Sequence, residues 1–359
     1  MLNKKITTTT LLFFVFIIQA NAQYYASALG KNGTVLKTAL HNIIKGHNAL
    51  LYTDLWSAYE NTDAKQNGKV WDMYTDIPLG TPVHIFTFGT NQCGNYSAEG
   101  DCFNREHTWP KEYFGGDNAY PMYSDLHHLF ATDGWINNKH ASYPYGKVNN
   151  ASYTSSNGTK LGTGNTYPGY SDKIFEPIDA YKGDFARAYF YMSTRYQGED
   201  ANWQNWEMAN GAELTPAAIT LLLQWHNSDP VSTKEINRNL EVYALQGNRN
   251  PFVDYPQFAD CIWGTGDCTA LSVSNINDDT NFTIYPNPAN QIIDVSCKLL
   301  DVKIENIIIF DIMGNKINTQ FSVIDAQHSK INLQQVSEGN YVLKITTNKG
   351  VINKLFSKN

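Results

Sequence analysis

The feature that most constrains this chain is a change of texture near residue 269. Upstream, long Gly-, Asn- and Tyr-rich loops alternate with stretches of helical periodicity. Downstream come short runs of β character: IIDVSC, IENIIIFDI, KINLQQV, NYVLKITT and VINKLF, with turn signals MGN, EGN and NKG between them. A helical period and a two-residue period do not share one layer easily, so the chain divides. Residues 23–268 carry 17 Lys+Arg against 26 Asp+Glu, a net −9, whereas residues 269–359 carry eight of each. Residues 269–281, which include the polar, aromatic-free stretch LSVSNINDDTN, read as a linker. Residues 282–359 then form a small β-sandwich.

The N-terminus is a third part. Lys4 and Lys5 precede a short apolar run from Leu11 to Ile18, and Ala20-Asn21-Ala22 has small residues where a signal peptidase cuts. Residues 1–22 are therefore read as a signal peptide. The run is too short to span a bilayer, and no later stretch approaches the roughly 20 apolar residues a spanning helix needs. Export permits disulfides. Cys93 and Cys102 flank one Gly-rich loop, and Cys261 and Cys268 flank another, so two short clips are the natural pairing. Neither pair has zinc-knuckle spacing. Cys297 is left over, in the sandwich.

Chemistry is then sought in residues 23–268. An apolar fraction of 42% in the whole chain provides for a real core. VHIFTF (83–88) reads as a strand. DFARAYFYMSTRY (184–196) reads as a helix, with Phe185, Tyr189, Met192 and Tyr196 at helical spacing. Thr215 caps a helix with Pro216 at its first position, and Thr233 caps another that ends at Gly247. Residues 91–125 and 140–180 read as long loops, which in a compact domain usually carry function.

Two segments stand out. In FNREHTWPKEYFG (103–115), Glu106 and His107 are adjacent at a strand end, a hard oxygen ligand beside a group that can act as a base near neutral pH. In SDLHHLFATDGWINNKHAS (124–142), Leu126–Phe130 reads as a short strand. A helix capped by Thr132 follows it and carries Asn137 and His140. The order is strand, loop, strand, helix. A zinc site built on His127 and His128 is disfavoured, because neighbouring strand residues face opposite ways.

On these residues the chain resembles the bacterial secreted endonuclease I family of ββα-metal nucleases. The match runs over about 40–265 and rests on REHTWP (105–110), DLHHLFATDGWINN, KGDFARAYFYM (182–192) and QGNRNPFVDYP (246–256). The resemblance implies an α+β fold, a mainly helical domain around a ββα-metal motif. It implies His107 as general base, Glu106 and Asn137 as metal ligands, and Arg187 at the phosphate. His127, Lys139 and Arg249 are candidate substrate contacts. The implied ion is Mg²⁺, with Mn²⁺ or Ca²⁺ as alternatives, and the implied substrates are DNA and RNA, cut without sequence preference by a monomer. The chain departs from the family pattern at His128, at Lys139-His140 and at Lys182. The last 80 residues resemble the C-terminal sorting domain of type IX secretion, through Tyr285-Pro286-Asn287-Pro288-Ala289, IIIFDIMGNKI and INLQQVSEGNYVLKI. That implies the type IX machinery as a partner and a secreted or cell-surface location. The acidic balance of residues 23–268 is unusual for a nucleic-acid enzyme. It keeps open two other classes, a surface-displayed carbohydrate or protein binder and a metal-dependent phosphodiesterase with non-nucleic substrates.

Overall fold

The structure is a computed structural model. It describes residues 24–78, 80–92, 94–269, 281–300, 302–311, 316, 317, 319, 321–348 and 350–359. The signal peptide and most of the linker expected from the sequence lie outside these residues. The chain divides into two compact units, Met1–Thr269 and Ala270–Asn359. Among the described residues no helix is long and apolar enough to cross a membrane.

The first unit is built around one helix, α4 (Asp179–Arg195). From Gly183 to Arg195 every residue is buried, so beyond its first turn the helix has no solvent face. α1 (Gly33–Ile44) packs against α4, while α2 (Leu55–Thr62) lies elsewhere in the unit. Next comes a hairpin, β1 (Phe103–His107) antiparallel to β2 (Leu129–Asp133), with α3 (Gly134–His140) following directly. A three-stranded sheet follows, β3 (Asn150–Thr154), β4 (Lys160–Thr163) and β5 (Ile174–Glu176). Beyond α4 come the two-residue strands β6 (Ala209–Asn210) and β7 (Glu213–Leu214), and then α5 (Pro216–Ser228) and α6 (Thr233–Gln246). The short helices α7 (Pro251–Asp254) and α8 (Phe258–Trp263) end the unit. Phe103, Leu129 and Ala131 of the hairpin share a core cluster with Leu55 and Tyr59 of α2 and Val242 of α6.

Several sequence expectations shift. The 83–88 segment is not a strand; it makes an isolated bridge, Lys69 to Thr87, and Val83 and Ile85 are exposed. Its apolar residues mimic a strand, but it has no partner to complete a ladder. The 140–180 region is not one long loop, since it holds the three-stranded sheet. The strand expected at Leu126–Phe130 begins at Leu129 instead, and the helix behind it is capped by Asp133 and not by Thr132. The Asp133 carboxylate accepts from Ile136 N at 2.9 Å and from Gly100 N at 2.7 Å. α6 is capped one residue before Thr233, by a Ser232–Glu235 capping box. Thr215 and Gly247 cap α5 and α6 as expected, Gly247 with φ 79°.

The second unit has two antiparallel four-stranded sheets. They are β8 (Phe282–Tyr285), β9 (Ile292–Cys297), β10 (Ile304–Asp311), β11 (Lys316–Ile317), β12 (Phe321–Val323), β13 (His328–Asn332), β14 (Gly339–Thr347) and β15 (Gly350–Lys358). One sheet runs β11-β10-β14-β15 and the other β12-β13-β9-β8. Ile293, Val295 and Ile331 from one sheet and Ile307, Ile309, Leu343 and Ile345 from the other form a single core. Cys261 and Cys268 are joined, with their Cα atoms 5.8 Å apart. Cys102 is also disulfide-bonded, and its expected partner, Cys93, lies outside the described residues. Cys297 is a buried free thiol.

Candidate active site

The hairpin register sorts the site. Glu106 stands opposite Phe130, and His107 stands opposite Leu129. Cross-strand partners share a face, so Asn104, Glu106, Phe130 and Thr132 lie on one side, and Arg105, His107, Leu129 and Ala131 on the other. Thr132 leads to α3, where Asn137 Nδ2 donates to Thr132 Oγ1 at 3.5 Å. Asn137 therefore sits on the Glu106 side of the hairpin.

Glu106 is buried in a polar cage. Tyr74 Oη donates to its Oε1 at 2.8 Å, and His140 Nδ1 stands 2.5 Å from the same atom. Tyr145 Oη is 3.1 Å from Tyr74 Oη, and His140 Nε2 donates to Tyr143 O at 3.0 Å. Among the described residues nothing hydrogen-bonds Glu106 Oε2 or Asn137 Oδ1. No group of three or more His, Cys, Asp or Glu side chains is gathered as a metal cluster among these residues. One carboxylate and one amide oxygen, each with an oxygen to spare, still suit a hard cation that keeps most of its waters.

His107 is held from behind. Its Nε2–H donates to Tyr123 O at 3.0 Å, and the ring stacks beside Tyr52 and Tyr123. That donation fixes the tautomer and leaves Nδ1 as the lone-pair nitrogen. Burial, followed by the neighbouring His128 ring, holds the imidazole well below its usual pKa, so it is neutral at pH 7. The loop carrying Tyr123 is anchored by Asp125, which is fully buried. Tyr191 and Tyr196 donate to it at 2.8 and 2.7 Å, and Gln246 donates at 3.0 Å. Burial alone would raise the pKa of this carboxyl, but His47, His127 and His128 nearby hold it below the ordinary range.

The remaining expected site residues make their contacts away from the Glu106 carboxylate. Arg187 is wholly enclosed: Nε and Nη2 meet Glu235 at 2.5 and 2.9 Å, and Nη1 donates to Asp229 O at 2.9 Å. It ties α4 to α6 and has no face left for a phosphate. The same contact explains the glycine in KGDFAR. A Cβ on Gly183 would stand 2.1 Å from Asp229 O and 2.5 Å from the Arg187 guanidinium. Arg249 makes a two-point pair with Asp254, both contacts at 2.6 Å. His127 is buried in the turn before β2, donating to Asn248 O at 3.2 Å. Lys139 lies two residues beyond Asn137, about 200° round the helix. Its ammonium sits 4.6 Å over the Trp135 ring and 5.5 Å over the Tyr153 ring. Tyr52, Tyr74, Tyr123 and Tyr145 are site residues that sequence reasoning did not single out. In a chain with 22 tyrosines, only contacts distinguish them.

Comparison with known proteins agrees with this architecture. A model described as Endonuclease I matches residues 32–257, and one for a secretion system C-terminal sorting domain matches residues 283–358. The extracellular ribonuclease of Bacillus amyloliquefaciens is 35% identical over 247 residues, 67% of this chain and 78% of its own length. That of Bacillus subtilis (strain 168) is 33% identical over 249 residues, with the same coverage. An extracellular deoxyribonuclease of Aeromonas hydrophila is 27% identical over 139 residues, 38% of this chain and 52% of its own. This chain is a member of the endonuclease I family, a secreted or cell-surface nuclease that ends in a type IX sorting domain.

Proposed function

We propose that the chain is a sequence-unspecific endonuclease, acting as a monomer on RNA and DNA through a ββα-metal site formed by β1, β2 and α3. The observation that carries the reading is the orientation of His107. Its Nε2–H is committed to the Tyr123 carbonyl, and its neutral Nδ1 stands one residue from the buried Glu106. His107 Nδ1 accepts a proton from the attacking water as that oxygen closes on phosphorus. Glu106 and Asn137 would hold the cation, Mg²⁺ by the hardness of the donors, with Mn²⁺ or Ca²⁺ as substitutes. Bound there, a divalent cation neutralises charge on the phosphate and on the departing oxygen. Tyr74 and His140 hold one oxygen of the Glu106 carboxylate and leave the second without a hydrogen-bond partner among the described residues. The relatives named ribonuclease and deoxyribonuclease support both substrates.

The test is digestion of RNA and of plasmid DNA by the full chain in Mg²⁺, in Mn²⁺ and in excess EDTA. Internal cleavage of both that stops in EDTA is expected. Cleavage unaffected by EDTA would remove the metal from the reading, and cleavage of neither polymer would remove nucleic acid as substrate.

A further inference from the structure

Every arginine of this chain lies in the first unit: Arg105, Arg187, Arg195, Arg238 and Arg249. Four are neutralised by carboxylates, Arg187 by Glu235, Arg195 by Glu199, Arg238 by Asp63 and Arg249 by Asp254. Arg105 is the exception, with no carboxylate at ion-pair distance among the described residues. Its guanidinium lies 3.8 Å over the Tyr52 ring and 4.2 Å over the Trp56 ring. Nη1 donates to Tyr52 O at 2.8 Å, and Nε is buried without a partner. The side chain is partly open to solvent.

Its place matters as much as its charge. Arg105 precedes His107 by two residues on β1, so both project from the same face, about 7 Å apart along the strand. Tyr52 is a wall common to both, lying under the guanidinium and stacking 5.7 Å from the His107 ring.

We propose that Arg105 is the group that grips the substrate phosphodiester, on the scissile phosphate or its immediate neighbour. This rests on the nuclease reading of the same site. A guanidinium without a carboxylate keeps its charge for a ligand, which matters in a domain that is acidic overall. The two aromatic walls hold the planar fork in place before substrate arrives, and a fork suits two oxygens of one phosphate. The Glu235 contact that encloses Arg187 takes that arginine out of the role.

The test uses the full chain, Arg105→Gln, Arg105→Lys and His107→Ala, with a short fluorescein-labelled single-stranded oligonucleotide as probe. Binding is read in EDTA over a series of salt concentrations, and KM and kcat in Mg²⁺. Arg105→Gln is expected to weaken metal-free binding about tenfold or more. It should also flatten the plot of log affinity against log salt by about 0.7, one contact for a single strand. Arg105→Lys should keep that slope but raise KM, because an ammonium cannot replace the fork. His107→Ala should keep both affinity and slope. An Arg105→Gln protein with wild-type slope and KM overturns the proposal. If Arg105→Gln does not fold, Arg105→Lys decides: a wild-type KM there also overturns it. A wild-type protein that binds and cleaves nothing would instead bring down the nuclease reading.

Discussion

The two units of this chain hold themselves together in different ways. The C-terminal unit is an apolar sandwich; among its described residues the buried polar side chains are Ser329 and Thr347. The nuclease unit buries Glu106, Asp125, Asp133, Glu235, Arg187, Arg238 and five histidines, His107, His127, His128, His140 and His226. Buried charges are costly unless paired, so the first unit is a set of obligatory partnerships, while the second is a volume to be filled. A chemical site has to be held rigidly by groups that can themselves bond to it. At the proposed site the polar interior supplies such groups: Asp125 anchors the loop whose Tyr123 carbonyl accepts from His107, and Tyr74 and His140 hold the Glu106 carboxylate.

That contrast can be broken most sharply at Glu235. Replacing it with Ala strands the Arg187 guanidinium in the interior, and a loss of about 3–5 kcal/mol is expected. All eight tryptophans belong to the first unit, so the urea midpoint of tryptophan emission reports on this unit directly. An Ala variant within about 1 kcal/mol of wild type would mean that the pair is not structural.

Acid is the next lever. Burial pushes His127 down to about 4, with Asp125 opposing, and burial also pushes His226 to about 4, with Arg187 adding to it. At neutral pH these rings are uncharged both folded and unfolded, and contribute nothing. Below about pH 6.5 the unfolded chain takes up protons that the native state refuses, so stability falls until the pH nears 4. His127 alone should cost on the order of 3 kcal/mol over that range. The C-terminal unit holds one histidine, His328, and it is exposed. Its hydrogen-exchange protection should respond much less over that range. Equal acid sensitivity in the two units would erase the distinction.

Smaller effects follow. Opening Cys261–Cys268 should lower the stability of the first unit by about 2–3 kcal/mol in the chain-entropy model, read as the shift of the same emission midpoint in a Cys261→Ser/Cys268→Ser double variant, which leaves the Cys102 disulfide closed. In the sandwich, Ile345→Val should cost about 0.5–1.5 kcal/mol in exchange protection of β14 and leave RNA cleavage unchanged. Lost cleavage would mean that the two units are energetically coupled.

The sandwich was the more legible unit for the same physical reason. IIDVSC coincides with β9, and IENIIIFDI and NYVLKITT cover β10 and β14 nearly end to end, because alternation alone decides which face is buried. In the nuclease unit, local signals worked where the cause was local: the Thr215 cap and the Gly247 terminus. They failed where a distant residue decides. Arg187 reads as a phosphate contact until Glu235, 48 positions later, is placed against it. Asp133, not Thr132, caps α3 because Gly100 and Asp72 converge on it from outside the helix. VHIFTF has a strand's composition but pairs at one isolated bridge, Lys69 to Thr87, and not along a ladder.

The measurement that bears most directly on the central claim is single-turnover RNA cleavage by His107→Ala, beside metal-free oligonucleotide binding and the tryptophan unfolding curve of the same protein. With Nδ1 gone, the rate should fall by about 10²–10⁴ while binding and the unfolding midpoint stay close to wild type. A folded His107→Ala protein that cleaves at near the wild-type rate would contradict the account, and the base would have to be sought on another residue.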